Sequence, residues 1–189
     1  FFMGRDPEPS ATSLKFLGEV VRANECDIGI AYDGDADRVD IVDEKGEYVG
    51  PDIALAGFVG HLASRFNGGT FAFPVDTSLA VQESVEKHGG KVVWTRVGDV
   101  HVAEAIKAHG AVFGGEPSGA WIHPSFHLCP DGILSGALLL KAIEEEDTTA
   151  SEFFSKPRTY PVQRGKIACP NNLKRKVIEK CTSKLKQEI

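Results

Sequence analysis

No apolar run in this 189-residue chain approaches the ~18 residues that cross a membrane. No basic segment leads into an apolar one as a secretory signal does. Both absences predict a cytoplasmic protein with no membrane partner. Cysteine is sparse: Cys26, Cys129, Cys169 and Cys181 are far apart and form no C-x-x-C pair. Reduced, buried or half-buried thiols are expected. Basic charge is short, with 21 Lys and Arg against 27 Asp and Glu, a net −6. A phosphate-backbone partner needs a basic face, so nucleic acid is not expected. Small anionic substrates stay open if cations are local. Internal repeats and low-complexity tracts are absent. A natural start is lacking too: the chain opens Phe1-Phe2-Met3-Gly4 and is expected to be an excerpt of a longer protein.

What is present is the mix of a globular protein, 42 % hydrophobic and 25 % charged. That length suits one ordinary domain or two small ones. Leu14, Leu17, Val20 and Val21 share a face and predict a helix over 11–24, capped by Ser10 or Thr12. Strands are expected at 27–32 and 39–43, followed by a turn at 44–47 and a helix over 52–66 stopped at Asn67-Gly68-Gly69. A regular alternation follows. Strands at 70–75, 91–95 and 111–115 are separated and followed by helices at 78–89, 100–110 and 132–146. This predicts an α/β fold with a mostly parallel sheet. Beyond Glu146 the pattern thins to a connector with a short helix at 150–155, a strand within 162–170 and a basic amphipathic helix over 171–189. One strand and one helix cannot close a core, so that end predicts a domain cut short. The first 50 residues read likewise as the back half of one.

Ligands gather at the carboxyl ends of strands in such sheets. Three unusual loops, at 33–38, 96–99 and 116–120, each follow a predicted strand. The first places Asp33, Asp35 and Asp37 at alternate positions, spaced only by Gly34 and Ala36. Two unit charges ~5 Å apart repel by ~3 kcal/mol at an effective dielectric of 20. A hard divalent cation such as Mg²⁺ removes that penalty and leaves coordination positions for water or a phosphate oxygen. Arg38 follows and can face an anion held by the metal. A solvated acidic turn is the bland alternative. An EF-hand would use Glu44 at its twelfth position but finds Arg38 where it needs glycine. A third alternative makes one aspartate the nucleophile of an aspartyl-phosphate phosphotransferase.

In the loop at 116–120, Glu116 and Ser118 stand between Gly115 and Gly119, a carboxylate and a hydroxyl suited to sugar hydroxyls. A solvated turn is the plainer alternative. Arg96, Gly98 and Asp99 make a turn at a helix N-terminus, which can hold an anion through backbone N–H groups or be capped by Asp99. His101, His123 and His127 are secondary candidates for substrate contact, and Asp131 a helix cap.

Five pieces, "GRDPEP" (4–9), "DGDADR" (33–38), "TRVGD" (95–99), "GGEPSG" (114–119) and "PDGI" (130–133), resemble in order and spacing the α-D-phosphohexomutase family, in wording closest to archaeal members. That family includes phosphoglucomutase, phosphomannomutase and phosphoglucosamine mutase. The resemblance implies a three-layer mixed-sheet α/β domain with partial flanking domains. Residues 1–50 would be the end of a second domain carrying the metal loop. Residues 51–157 would be a third domain carrying the sugar loop, and 158–189 the start of a fourth. It implies Mg²⁺ on Asp33, Asp35 and Asp37, and a catalytic Arg38 holding the phosphoserine region. Glu116, Ser118, Gly115 and Gly119 would bind substrate, with Arg96, Gly98 and Asp99 beside it.

The implied reaction moves a phosphoryl group between C1 and C6 of a hexose phosphate, mannose or glucose favoured, through a phosphoserine and a bisphosphorylated sugar. The implied partners are that substrate and the missing domains of the same chain, and a homodimer is left open. The phosphoserine would lie outside residues 1–189, so this chain alone is expected to be inactive. Ala120 stands where many relatives carry histidine, which argues against transferring their sugar preference. A phosphoglucosamine mutase and a non-catalytic metal- and sugar-phosphate-binding domain are the alternatives.

Overall fold

The computed structural model describes residues 4–161, 165 and 167–188. Helix α1 (Lys15–Ala23) packs Val21 onto a three-stranded sheet, β1 (Ile28–Tyr32), β2 (Val39–Asp43) and β3 (Tyr48–Val49). The order is β1-β2-β3, antiparallel throughout, with Ile30 opposite Ile41. This part supplies the antiparallel share of a mixed-sheet fold. The loop at 33–38 is too short for a crossover and returns as a hairpin. Helix α1 starts later than its apolar spacing suggests. Residues 11–14 form turns, Ser10 and Ser13 bond each other, and Leu14 ends up as the N-cap without a side-chain bond.

The second sheet has the order β5-β4-β6-β7. Strands β4 (Thr70–Pro74), β5 (Lys91–Thr95) and β6 (Phe113–Gly115) are parallel, and β7 (Trp121–Ile122) turns back antiparallel. The period of two along β4 builds the layers. Phe71 and Phe73 face one side with α2 (Pro51–Arg65) and α3 (Leu79–Glu86), while Ala72 faces α4 (Asp99–His109) through Val102 and Ile106. Helix α2 ends as the Asn67-Gly68-Gly69 signal requires. Asn67 takes φ 48°, and the Gly68 N–H reaches the Ala63 carbonyl at 2.8 Å. Strand β6 begins at Phe113 rather than residue 111, and β3 and β7, two residues each, carry too little pattern to be seen in advance.

Helix α5 (Gly132–Glu145) spans both sheets, touching β1, β2, β7 and α2. The main core is correspondingly continuous, running from Val39, Ile41 and Val49 to Phe58, Phe71, Phe113 and Trp121. Phe153 and Phe154 of α6 (Ala150–Ser155) close its far end. The turn after β2 is tied to α6 by Glu44, which accepts the Ser151 N–H at 2.9 Å. Glu44 thus sits across β2 from the acidic loop, which removes the EF-hand alternative.

Helix α7 (Asn171–Glu188) has every side chain exposed through Lys186. The strand expected within 162–170 falls partly outside the described residues, and the described ones there form none. Cys26, Cys129 and Cys181 are exposed and Cys169 half-buried, all four as free thiols, so the expectation of buried cysteines fails for three. Among the described residues no helix is long and apolar enough to cross a membrane.

Candidate functional site

The acidic hairpin loop leaves β1 at Tyr32, whose carbonyl accepts from the Arg5 guanidinium. Ala36 takes φ 61°, a left-handed turn that folds alternate side chains inward. One carboxylate oxygen from each of Asp33, Asp35 and Asp37 then lies within 4.8 Å of the others. Asp33 and Asp37 are half-buried and Asp35 is exposed. The crowding registers at Asp37, whose carboxyl is pushed up by burial and by the charges of Asp33 and Asp35, against a smaller lowering by Arg38. Arg38 leans onto the same carboxylates, Nε lying 3.6 Å from Asp33 and 3.8 Å from Asp37, and pairs with Glu8 at 3.2 Å. The donor set is all carboxylate oxygen, converging and incompletely neutralised, which fits a hard divalent cation such as Mg²⁺.

Two backbone contacts hold this loop. The Gly132 N–H donates to the Ala36 carbonyl at 3.0 Å, and a Cβ on Gly132 would sit 2.5 Å from the Arg38 carbonyl oxygen. Asp131 caps α5 by accepting the Leu134 N–H at 2.8 Å, as its position in the sequence suggests. On the other side, the Val39 N–H donates to the Gly119 carbonyl at 3.1 Å and Arg38 bridges Ala120. Gly119 takes φ 89°, and a Cβ there would meet the Val39 oxygen at 2.4 Å. The acidic loop and the glycine-rich loop, eighty residues apart, are thus stitched edge to edge.

In that second loop Gly115 ends β6, buried, and Ser118 is exposed. Glu116 Oε1 accepts the Gly98 N–H at 2.7 Å and Oε2 accepts the Ser118 hydroxyl at 3.3 Å. Each oxygen keeps a lone pair for a ligand hydroxyl. Gly98, not Asp99, is the N-cap of α4; Asp99 is its first helical residue. The anion at this helix start is the protein's own Glu116. Arg96 is exposed on the same turn, and its guanidinium pairs with no described residue. His123 is buried against Phe58 and Phe113, bonded to Ser135 at 2.9 Å, and lowered to about 4 by burial. It is a core residue, not a substrate contact.

A cavity of about 290 Å³ opens where the loops meet, lined by Glu8, Arg38, Asp40, Tyr48, Asp76 and Ser118 among others. Asp40 and Tyr48 escaped the sequence reading. Asp40 is buried in β2, accepts the Tyr48 hydroxyl at 2.6 Å, and is pushed up to about 6 by burial, against the hydrogen bond from Tyr48 and the charge of Arg38. Its one signal was a charged residue in the middle of the apolar run "VDIVD".

Fold and site together define an α/β/α protein in which an acidic loop that could hold a cation meets a glycine-rich loop bearing Glu116 and Ser118. Two family profiles match it. "Phosphoglucomutase/phosphomannomutase, alpha/beta/alpha domain III" covers residues 51–160, and the corresponding domain II profile covers 1–46. The chain belongs to the phosphoglucomutase/phosphomannomutase family, the α-D-phosphohexomutases. It is 46 % identical over 186 residues to a "Probable phosphoglucosamine mutase" of Methanopyrus kandleri, covering 98 % of this chain and 41 % of that one. It is 42 % identical over 182 residues to a phosphoglucosamine mutase of Methanococcus maripaludis, covering 94 % and 41 %. A solved "Phosphoglucomutase/phosphomannomutase family protein" of Burkholderia thailandensis superposes with TM-score 0.73 at 26 % identity, covering 82 % of this chain and 34 % of that one. The chain therefore spans about two fifths of the length of these curated relatives.

Proposed function

We propose that the whole protein is a phosphohexomutase, that residues 1–50 end its second domain, that 51–157 form its third and that 158–189 begin its fourth. It would move a phosphoryl group between C1 and C6 of a hexose phosphate by way of a phosphoserine and a bisphosphorylated sugar. The observation that carries this reading is the stitch between the two loops, Val39 N–H to Gly119 carbonyl with Arg38 bridging Ala120. It brings the carboxylates of Asp33, Asp35 and Asp37 near Glu116 and Ser118, a pairing that would suit a phosphosugar. The family is in general metal-dependent. Here Asp33, Asp35 and Asp37 would hold Mg²⁺, which when bound supplies charge neutralisation for the transferring group. Arg38 would orient an anionic oxygen beside that site. Glu116 and Ser118 would accept and donate to vicinal hydroxyls, fixed by Gly115, Gly119 and the Gly98 N–H. Arg96 and Asp99 would lie beside the substrate.

For the hexose, mannose and glucose phosphates stand beside glucosamine phosphate. The names of the relatives favour the amino sugar. An activity panel on the whole protein over glucose, mannose and glucosamine phosphates tests both levels. Turnover of one or more supports the mutase and ranks the sugars. Turnover of none, with phosphate and metal bound normally, would leave the non-catalytic binding domain as the better account.

A further inference from the structure

Away from the loops just described, the segment between β7 and α5 gathers three reactive side chains. His127 Nδ1 lies 3.0 Å from Cys129 Sγ, and His127 Nε2 lies 3.1 Å from Asp131 Oδ2. Cys129 is exposed, and His127 and Asp131 are about one-third exposed. The segment is ordered by its own backbone: the N–H groups of Phe126 and His127 both reach the His123 carbonyl, and the Asp131 N–H reaches Trp121. We propose that Cys129, His127 and Asp131 form a nucleophilic thiol site that exchanges with low-molecular-weight disulfides, taking one half as a mixed disulfide.

The tautomer follows from the partners. Asp131 accepts the Leu134 N–H, and that bond leads the influences that hold its carboxyl below the usual range. It is therefore ionised at neutral pH and can only accept, so His127 carries its proton on Nε2. Nδ1 is left with a lone pair facing the thiol. This is the arrangement in which a base takes a nucleophile's proton while a third group fixes the base. As Sγ attacks one sulfur of the disulfide, its proton passes to Nδ1. The new S–S bond forms, the old one breaks, and the departing sulfur leaves with the bonding pair and takes the proton from His127. The balance is one thiol and one disulfide in, one mixed disulfide and one thiol out. Aspartate, histidine and cysteine lie within five residues, so the site needs no distant element to assemble. Three residues beyond the thiol is Gly132, whose N–H holds the Ala36 carbonyl of the acidic loop.

The other exposed cysteines give internal references. Cys26 lies between Glu25 and Asp27, and Cys181 follows Lys180 with Lys184 one helical turn on. The test treats the unaltered chain with substoichiometric dithionitrobenzoate at neutral pH, with mapping of the labelled peptides. Cys129 is expected to react ~10-fold faster than both references. His127→Gln is expected to bring it down to their rate while their own rates stay unchanged. Comparable rates at the three thiols in the unaltered chain would overturn the proposal with no substitution involved. So would a fast Cys129 that is indifferent to His127→Gln.

Discussion

Asp35 is the exposed member of the acidic triplet and has no part in holding the hairpin, whereas Asp33 also accepts the Arg38 N–H. It is the member whose charge can be removed with least damage to the fold. Asp35→Asn in the whole protein is expected to lower kcat on the order of 10²-fold or more, with an unchanged circular dichroism spectrum. Unchanged turnover at saturating Mg²⁺ would remove the metal role. Glu116 presents the other residue-scale question. Its two oxygens hold Gly98 and Ser118 while keeping lone pairs for a ligand. A hydrogen bond to a charged group is worth ~1.5–3 kcal/mol, so Glu116→Ala should raise KM about 10- to 100-fold while metal affinity stays within about twofold. A normal KM and kcat in the variant would assign Glu116 to capping α4 alone.

At the scale of elements, the site depends on two close approaches of backbone to backbone. Gly119 combines φ 89° with a would-be Cβ 2.4 Å from the Val39 oxygen, so the edge of β2 and the glycine-rich loop have no room to yield. Gly119→Ala is expected to cost about 2–3 kcal/mol in denaturant unfolding. A loss below about 0.5 kcal/mol would show that the loops can part without penalty, and the stitch would then not position the site. Helix α5 makes the equivalent approach at Gly132, under the acidic loop. The motif "PDGI" is thereby explained by packing: Asp131 caps the helix, and Gly132 lets its first turn press against Ala36 and Arg38.

For the whole molecule, two buried groups pull the pH dependence of stability in opposite directions. His123 is lowered from 6.5 to about 4, so between those values the unfolded chain holds the extra proton. Stability therefore rises with pH there, by up to about 3 kcal/mol. Asp40 is raised from 3.8 to about 6, so the folded chain holds the extra proton over that range. Its contribution is present below 3.8 and is lost as pH rises to about 6, again by about 3 kcal/mol. The two slopes nearly cancel between about pH 4 and pH 6. Asp40→Asn keeps an acceptor for Tyr48 and removes one slope. The variant should be about 2–3 kcal/mol more stable than the parent near pH 7 and should lose that advantage on acidification toward pH 4. Denaturant midpoints across this range decide it, and parallel profiles for variant and parent would refute the assignment to Asp40.

Local pattern along the chain encodes what a few neighbouring residues can settle. The period of two in "TFAFPV", the run and stop of α2 at Asn67-Gly68-Gly69, the cap at Asp131 and the crowding of Asp33, Asp35 and Asp37 all act within a few residues, and each was legible. It left unread whatever depends on partners distant in the chain. The antiparallel return of β1 and β2, the late start of α1, Asp40 under Tyr48, His123 inside the aromatic core and Gly98 displacing Asp99 as the cap are of this kind. That Val39 meets Gly119 and Gly132 meets Ala36 follows from the packed fold and from nothing local. Those contacts have no signature in composition or spacing: backbone N–H and carbonyl groups are the same at every residue, and only the packing of both sheets around one core selects which of them pair.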